Sequence, residues 1–283
     1  MLFVSALAVE DARNIQLFIL SDYGIKSSDI SMKIIFIIFA GLIILFAVIL
    51  FAEALMVLSI KQPSFKNPDR AAQNLGRLGK EIRYLVIGDS TGAGRGAEYE
   101  KGIAQQTAKY LAKKRKVNFV NLSVSGTTTK DVLSEQIPQA RAYEPDLVLL
   151  AVGSNDVTHL TQGKSLQKDL NRIIDNLIKI NCNIKIVVTG SGEMGAIPLF
   201  PEPLRYIAGM RTQQINKIFG RVSEEKEINF AQIAHETGPM FKKDKSLFAS
   251  DGFHPNERGY ATWLPVLNKS IDEALQTQPT HCN

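Results

Sequence analysis

The stretch RYLVIGDSTGAGRGA, residues 83–97, decides how this chain is to be read. Its first part, Arg83 to Gly88, is a short apolar run of the kind found in strands buried on both faces. Its second part puts a serine, Ser90, into a glycine-rich turn directly after that strand. Working outward, Val117 to Leu122, Leu147 to Val152 and Ile184 to Thr189 repeat the β-branched or Leu-rich character, and a weaker fifth run lies near Ile228 to Ala231. Helical segments separate them. The clearest carries Leu166, Leu170, Ile173, Ile174, Leu177 and Ile178 at the spacing of one apolar stripe. Strand and helix in alternation predict an α/β fold, a parallel sheet of about five strands covered by helices on both sides. Ligands of such sheets sit beyond the carboxyl ends of the strands. Chemistry is therefore expected just after Gly88, Leu122 and Val152, and the unusual residues fall there.

Upstream, Ile34 to Ala52 contains no charge, proline or polar side chain. As a helix this run rises about 28 Å, close to the roughly 30 Å hydrocarbon core of a bilayer. Glu53 falls near one interface, and Lys61 closes the apolar run, so residues 34–60 read as a transmembrane helix. A buried core helix rarely lacks a polar face over five turns. Ala52-Glu53-Ala54 has the small-x-small form of a signal cleavage site, but the apolar run continues past it and exceeds the usual length of about 7–15 residues. The reading is an uncleaved, single-pass anchor. Met32 offers a second start, which leaves residues 1–32 as a poorly ordered extension. The anchor takes residues 33–61, a polar linker with Pro63 and Pro68 takes 62–80, the domain takes 81–276, and a tail takes 277–283. Lys61, Lys66, Arg70, Arg77 and Lys80 after the span would keep the domain cytoplasmic by the positive-inside rule. The short tail before a signal-like segment argues for export, and the extracytoplasmic side is expected.

The net charge is +5, and residues 61–283 carry +7 of formal charge against a slightly negative N-terminal part. Lys and Arg are scattered rather than clustered with aromatics, so no nucleic-acid partner is expected. Cys182 and Cys282 belong to no C-x-x-C or Cys/His cluster, which gives no zinc site and leaves their pairing open.

Four short blocks carry chemistry. Gly88-Asp89-Ser90-Thr91-Gly92 presents Ser90 at a strand-to-helix turn, where the serine is expected to be exposed and its amide to face an oxyanion near a helix N-terminus. Formally it matches the G-x-S-x-G elbow, although that elbow normally follows several strands. Gly92-Ala93-Gly94-Arg95-Gly96-Ala97 also satisfies the dinucleotide fingerprint G-x-G-x-x-G/A. That reading needs an acidic residue about twenty positions on, and Lys101 to Lys130 contains none. Ser125-Gly126-Thr127 supplies a tight turn whose Gly126 amide can approach a ligand. Gly153-Ser154-Asn155-Asp156 places a neutral donor, the Asn155 amide, at a strand end. Asp251 and His254 lie three residues apart in Asp251-Gly252-Phe253-His254-Pro255-Asn256, so the carboxylate can fix the imidazole tautomer while the other nitrogen takes a serine proton.

This set resembles, in order and spacing, the four blocks of the SGNH, or GDSL-type, hydrolases, and the resemblance covers residues 81–276. It implies a flavodoxin-like three-layer α/β/α sandwich, Ser90 as nucleophile, His254 as base and Asp251 as its partner. It further implies an oxyanion hole from the Ser90 and Gly126 amides and the Asn155 side chain, with no metal and no organic cofactor. The expected activity is that of a membrane-anchored serine esterase acting on a small-molecule or lipid ester or thioester. Acyl transfer to a cell-envelope sugar or lipid uses the same groups, and a non-catalytic binding domain would have no need to keep all of them. Among the other histidines, His235 and His281 read as surface residues. His159, in Asp156-Val157-Thr158-His159, matches D-x-x-H and offers a rival base, but a substrate-lining or structural role is the expected one. Asp89 is expected to stabilise the turn before Ser90. The apolar stretch from Gly192 to Pro201 fits an acyl pocket or lid and equally a loop packed on the core.

Overall fold

The computed structural model describes residues 27–61, 63–277 and 282, in two units divided between Ser59 and Ile60. The expected N-terminal extension up to residue 26 and His281 lie outside the described residues. The first unit is helix α1, Ser27–Ser59. Its portion Met32–Ser59 is long and apolar enough to cross a membrane, and Ile35, Phe36, Ile37 and Phe39 on it are exposed.

The second unit is built on six strands: β1 (Gln73–Leu75), β2 (Glu81–Gly88), β3 (Lys116–Asn121), β4 (Leu147–Ala151), β5 (Lys185–Val188) and β6 (Asn229–Phe230). They lie in the order β1-β3-β2-β4-β5-β6. Strands β2 to β6 are parallel, and β1 runs antiparallel to β3 along the edge. The parallel five thus follow the flavodoxin-like 2-1-3-4-5 order, with the direction of winding reversing at β2. All five residues of β4 are buried, as a central strand covered on both faces requires.

Helices α2 (Ile103–Ala112), α7 (Ile233–Lys243) and α8 (Glu257–Gln276) pack on one another in one layer. The other layer holds α3 (Ile137–Tyr143), α5 (Gly163–Ile180) and α6 (Leu204–Glu225), while the short α4 (Ser154–Thr158) follows β4. In α5, Leu166, Leu170, Ile173, Ile174 and Leu177 are buried along the stripe that the periodicity predicts, and Ile178 is half-buried.

Two segments differ from their sequence reading. The polar stretch 62–80 is no free linker, because Gln73–Leu75 within it adds the antiparallel edge strand. Its side chains are tied in as well: Gln105 donates to Gln73 Oε1 at 2.7 Å, and Asn118 to Asn74 Oδ1 at 2.9 Å. Such a strand of amides has no apolar alternation to announce it. The C-terminal tail is fastened too. Cys282 is disulfide-bonded to Cys182, just before β5, with a Cα–Cα distance of 5.0 Å. On a chain-entropy model, closing a loop of this length restricts the unfolded chain by about 4.7 kcal/mol.

The end of β2 depends on one glycine. Gly88 has φ +142°, and a Cβ there would lie 1.9 Å from the Ala151 carbonyl oxygen of β4. The contact brings the Asp89 amide into a 2.9 Å hydrogen bond to that oxygen. Substituting Gly88→Ala is expected to cost about 3 kcal/mol or more, read as a lowered midpoint in chemical denaturation; a variant as stable as the parent would refute this account of the strand end.

Candidate active site

Strands β3, β2 and β4 are neighbours, so the segments after their carboxyl ends converge. They carry Gly126, Ser90 and Asn155 respectively. Ser90 itself is buried, 5% exposed, and lies in a series of turns rather than at the start of a helix, since α2 begins only at Ile103. Both points correct the expectation of an exposed serine at a strand-to-helix turn. The turns are held by backbone bonds from Ala93 N to Asp89 O (3.0 Å) and from Arg95 N to Ser90 O (2.9 Å). Turns through the positive-φ residues Gly94 (φ +81°) and Gly96 (φ +96°) stand where the elbow would begin its helix.

His254 reaches this turn from the far end of the chain. Its Nε2 lies 3.0 Å from Ser90 Oγ, and its Nδ1 lies 2.7 Å from Asp251 Oδ2. Asp251 Oδ1 accepts from the backbone amides of Phe253 (2.8 Å) and His254 (2.9 Å), which folds the loop around the carboxylate. Asn256 then caps α8 by accepting from Gly259 N (3.0 Å) and donates to Phe248 O, so the loop is fixed at its exit. Burial pushes the Asp251 carboxyl up, but the His254 side chain and the two amides outweigh it and hold the group down to about 2. An ionised Asp251 beside Nδ1 leaves Nε2 as the nitrogen facing the hydroxyl, an arrangement able to draw a proton from Ser90.

The glycines of the dinucleotide-like stretch have a different task. A Cβ on Gly96 would stand 2.4 Å from Pro255 O and 2.7 Å from His254 Cβ. One on Gly92 would meet Ser123 Oγ at 2.4 Å. They let the histidine loop and the β3 loop approach the serine turn.

Gly126 has φ +91° and is exposed at the tip of its loop, with no acceptor for its amide among the described residues. Asn155 donates from Nδ2 to Thr127 O at 2.9 Å, joining the β4 loop to the β3 loop. Asp156 is buried, accepts from Thr129 N (3.0 Å) and Thr129 Oγ1 (2.8 Å), and so serves the framework. His159 is exposed and its Nδ1 lies 2.8 Å from Asn155 O; the imidazole bonded to Ser90 is that of His254. His235 is exposed, as expected.

Several supporting residues carry no signal in the sequence. Gln136, fully buried in the π-helical turn Val132–Gln136, accepts from Gly88 N (2.7 Å) and donates to Gly88 O (2.9 Å), clamping the strand end that delivers Ser90. Arg95 donates to Ser125 Oγ (3.0 Å) and to Pro63 O (3.0 Å), with its guanidinium 5.6 Å from the Phe65 ring centre. Asn67 accepts from Ser125 N at 2.9 Å. The segment before β1 therefore holds the loop that carries Gly126. Only Asn256, a capping residue directly before a helical pattern, could have been found by rule.

Asp89 stabilises the turn, as expected, accepting from Thr91 N (2.8 Å) and Thr91 Oγ1 (2.7 Å). Burial pushes its carboxyl up; the Thr91 bonds counter this only in part, nearby Asp156 adds to it, and the group comes to about 6. The folded state thus prefers Asp89 protonated. That preference is fully present below the unfolded value near 3.8 and is lost as pH rises through about 6. Asp89→Asn is therefore expected to gain stability relative to the parent between pH 4 and pH 6, by up to about 3 kcal/mol. Denaturation midpoints that run parallel across that window would contradict it.

A family model described as GDSL-like Lipase/Acylhydrolase family matches residues 86–262. Among solved structures, TesA is similar at a TM-score of 0.57 and 20% identity, over 68% of this chain and 99% of that one. The psychrotrophic esterase EstA from Pseudoalteromonas sp. gives 0.55 and 21%, over 69% and 100%. The phospholipase A1 from Streptomyces albidoflavus NA297 gives 0.55 and 18%, over 67% and 99%. At these identities the likeness is one of fold. No curated protein matches by sequence.

Proposed function

The chain belongs to the GDSL-like lipase/acylhydrolase family, and on that premise we propose that it is a membrane-anchored serine hydrolase cleaving carboxylic esters or thioesters through an acyl-Ser90 intermediate. The observation that carries this reading is the continuous hydrogen-bonded chain from Asp251 through His254 to Ser90 Oγ. In it, His254 Nε2 takes the Ser90 proton as Oγ bonds to the acyl carbon. The carbonyl oxygen becomes an oxyanion, for which the Ser90 and Gly126 amides and the Asn155 side chain are the assigned donors. When the intermediate collapses, the ester bond breaks and the leaving alcohol or thiol receives the proton from His254. Water, deprotonated by the same nitrogen, then attacks the acyl carbon and frees Ser90 with release of the acid. Asp251, held ionised, stabilises the imidazolium at both stages.

Helix α1 is the proposed anchor, on its length and composition. The Cys182–Cys282 bond favours an extracytoplasmic domain, because disulfides persist in oxidising compartments and are rare in the cytosol. The literal count of positive charges points the other way. We give the disulfide more weight, since a covalent bond constrains the compartment directly. On this basis, protein taken from intact cells under acidic quenching should show no thiol open to alkylation until it is reduced; two free thiols would put the domain on the cytoplasmic side.

Replacing Ser90 by Ala should remove ester hydrolysis and labelling by a fluorophosphonate probe. Asp251→Asn should lower kcat by about 10⁴-fold while labelling slows in parallel. Hydrolysis that survives Ser90→Ala at the parental rate would end the assignment.

A further inference from the structure

Beside Ser90 and His254 opens a cavity of about 30 Å³, lined by the apolar Met194, Ile197, Phe241, Phe248 and Trp263 and also by Thr91, Ser154 and Glu193. A site for a drug-sized or long-chain ligand typically offers about 300–1,000 Å³. The space beside Ser90 is about a tenth of the lower figure, which suits a small acyl group and not a long chain.

The walls cannot give way cheaply. Met194 is 2% exposed, Ile197 and Phe241 3%, and Trp263 4%. The aromatic walls also pack on one another. Phe241 packs edge-on to Phe248 with centroids 5.2 Å apart and lies 5.9 Å from Trp263, which in turn packs edge-on to Tyr260 at 5.5 Å. Gly192 also lines the space, and a Cβ there would come within 3.1 Å of the Trp263 ring. Interiors at this density resist added volume of even one methylene. In the stretch from Gly192 to Pro201, Met194, Ile197 and Phe200 pack on the core, and the first two also line the space beside the serine.

We propose that this cavity is a short-acyl pocket, so that Ser90 takes acetyl and propionyl groups and excludes longer chains. The substrate class is then acetyl-type esters rather than long-chain lipids. The inference rests on the acyl-Ser90 reading above. In the first step the acetyl carbon bonds to Ser90 Oγ as its bond to the alcohol oxygen breaks, and the alcohol leaves with the proton held by His254. Water then releases acetate.

The test uses the full-length protein in non-ionic detergent micelles with p-nitrophenyl acetate, butanoate, hexanoate and octanoate. The expected result is a kcat/KM for octanoate at least about 100-fold below that for acetate. Ile197→Ala and Met194→Ala should each raise the hexanoate-to-acetate ratio by about tenfold, a ratio insensitive to partial loss of folded protein. Ser90-dependent turnover of octanoate within about threefold of acetate overturns the short-acyl pocket and leaves the nucleophile standing. A ratio unmoved in both variants also overturns the pocket. Absence of turnover on every ester, together with no fluorophosphonate labelling of Ser90, removes the nucleophile and the pocket with it.

Discussion

The hydrogen bond between His254 Nε2 and Ser90 Oγ joins residues 164 positions apart, and most of the special features of the fold exist to permit it. Two groups so distant in sequence meet only if three backbone segments come closer than side chains normally allow. Gly88 lets the end of β2 lie against Ala151 O, and Gly96 lets the serine turn lie against His254 and Pro255. Gly92 removes the clash with Ser123. The assembly is then fixed by polar clamps rather than by apolar packing alone: Gln136 on both backbone groups of Gly88, Tyr260 donating to Arg95 O at 2.7 Å, and Asn256 capping α8. Buried clamps of this kind are costly to leave half-made, so they specify one arrangement of the loops.

The same region manages two buried carboxylates in opposite ways. Asp251 receives two amides and an imidazole and stays ionised. Asp89 receives Thr91, faces the field of Asp156, and is driven towards neutrality. Burial acts on both in the same direction, and the number and charge of the donors decides the outcome. The ionised member of the pair is the one bonded to His254, so the site carries its negative charge on the histidine side.

Much of this was legible in the chain itself. The runs at Arg83–Gly88, Val117–Leu122, Leu147–Val152 and Ile184–Thr189 mark parallel strands to within two residues, because a strand buried on both faces must be continuously apolar. The block carrying Asp251 and His254 could be read because its chemistry is local. Strand β1 could not, being short, polar and defined by its partner β3. Nor could the burial of Ser90, which depends on how the β3 and histidine loops close over it. Gln136 is one amide in an amphipathic helix until the fold brings Gly88 to it. Arg95 and Asn67 are surface-type residues whose partners lie about 30 to 60 positions away. Long-range polar contacts leave no periodic trace.

The attachment of Pro63 and Asn67 to the rim also sets where this enzyme begins. Arg95 grips the Pro63 carbonyl while Asn67 holds the Ser125 amide, so ten residues ahead of the first strand already belong to the working machinery. A protease that severed the chain upstream of Pro63 would liberate the second unit with both of these contacts intact. A cut a few residues later would release a molecule of nearly the same mass whose Gly126 loop has lost its brace. For this architecture, release of the whole domain and loss of that brace are separated by the span of a single extended pentapeptide.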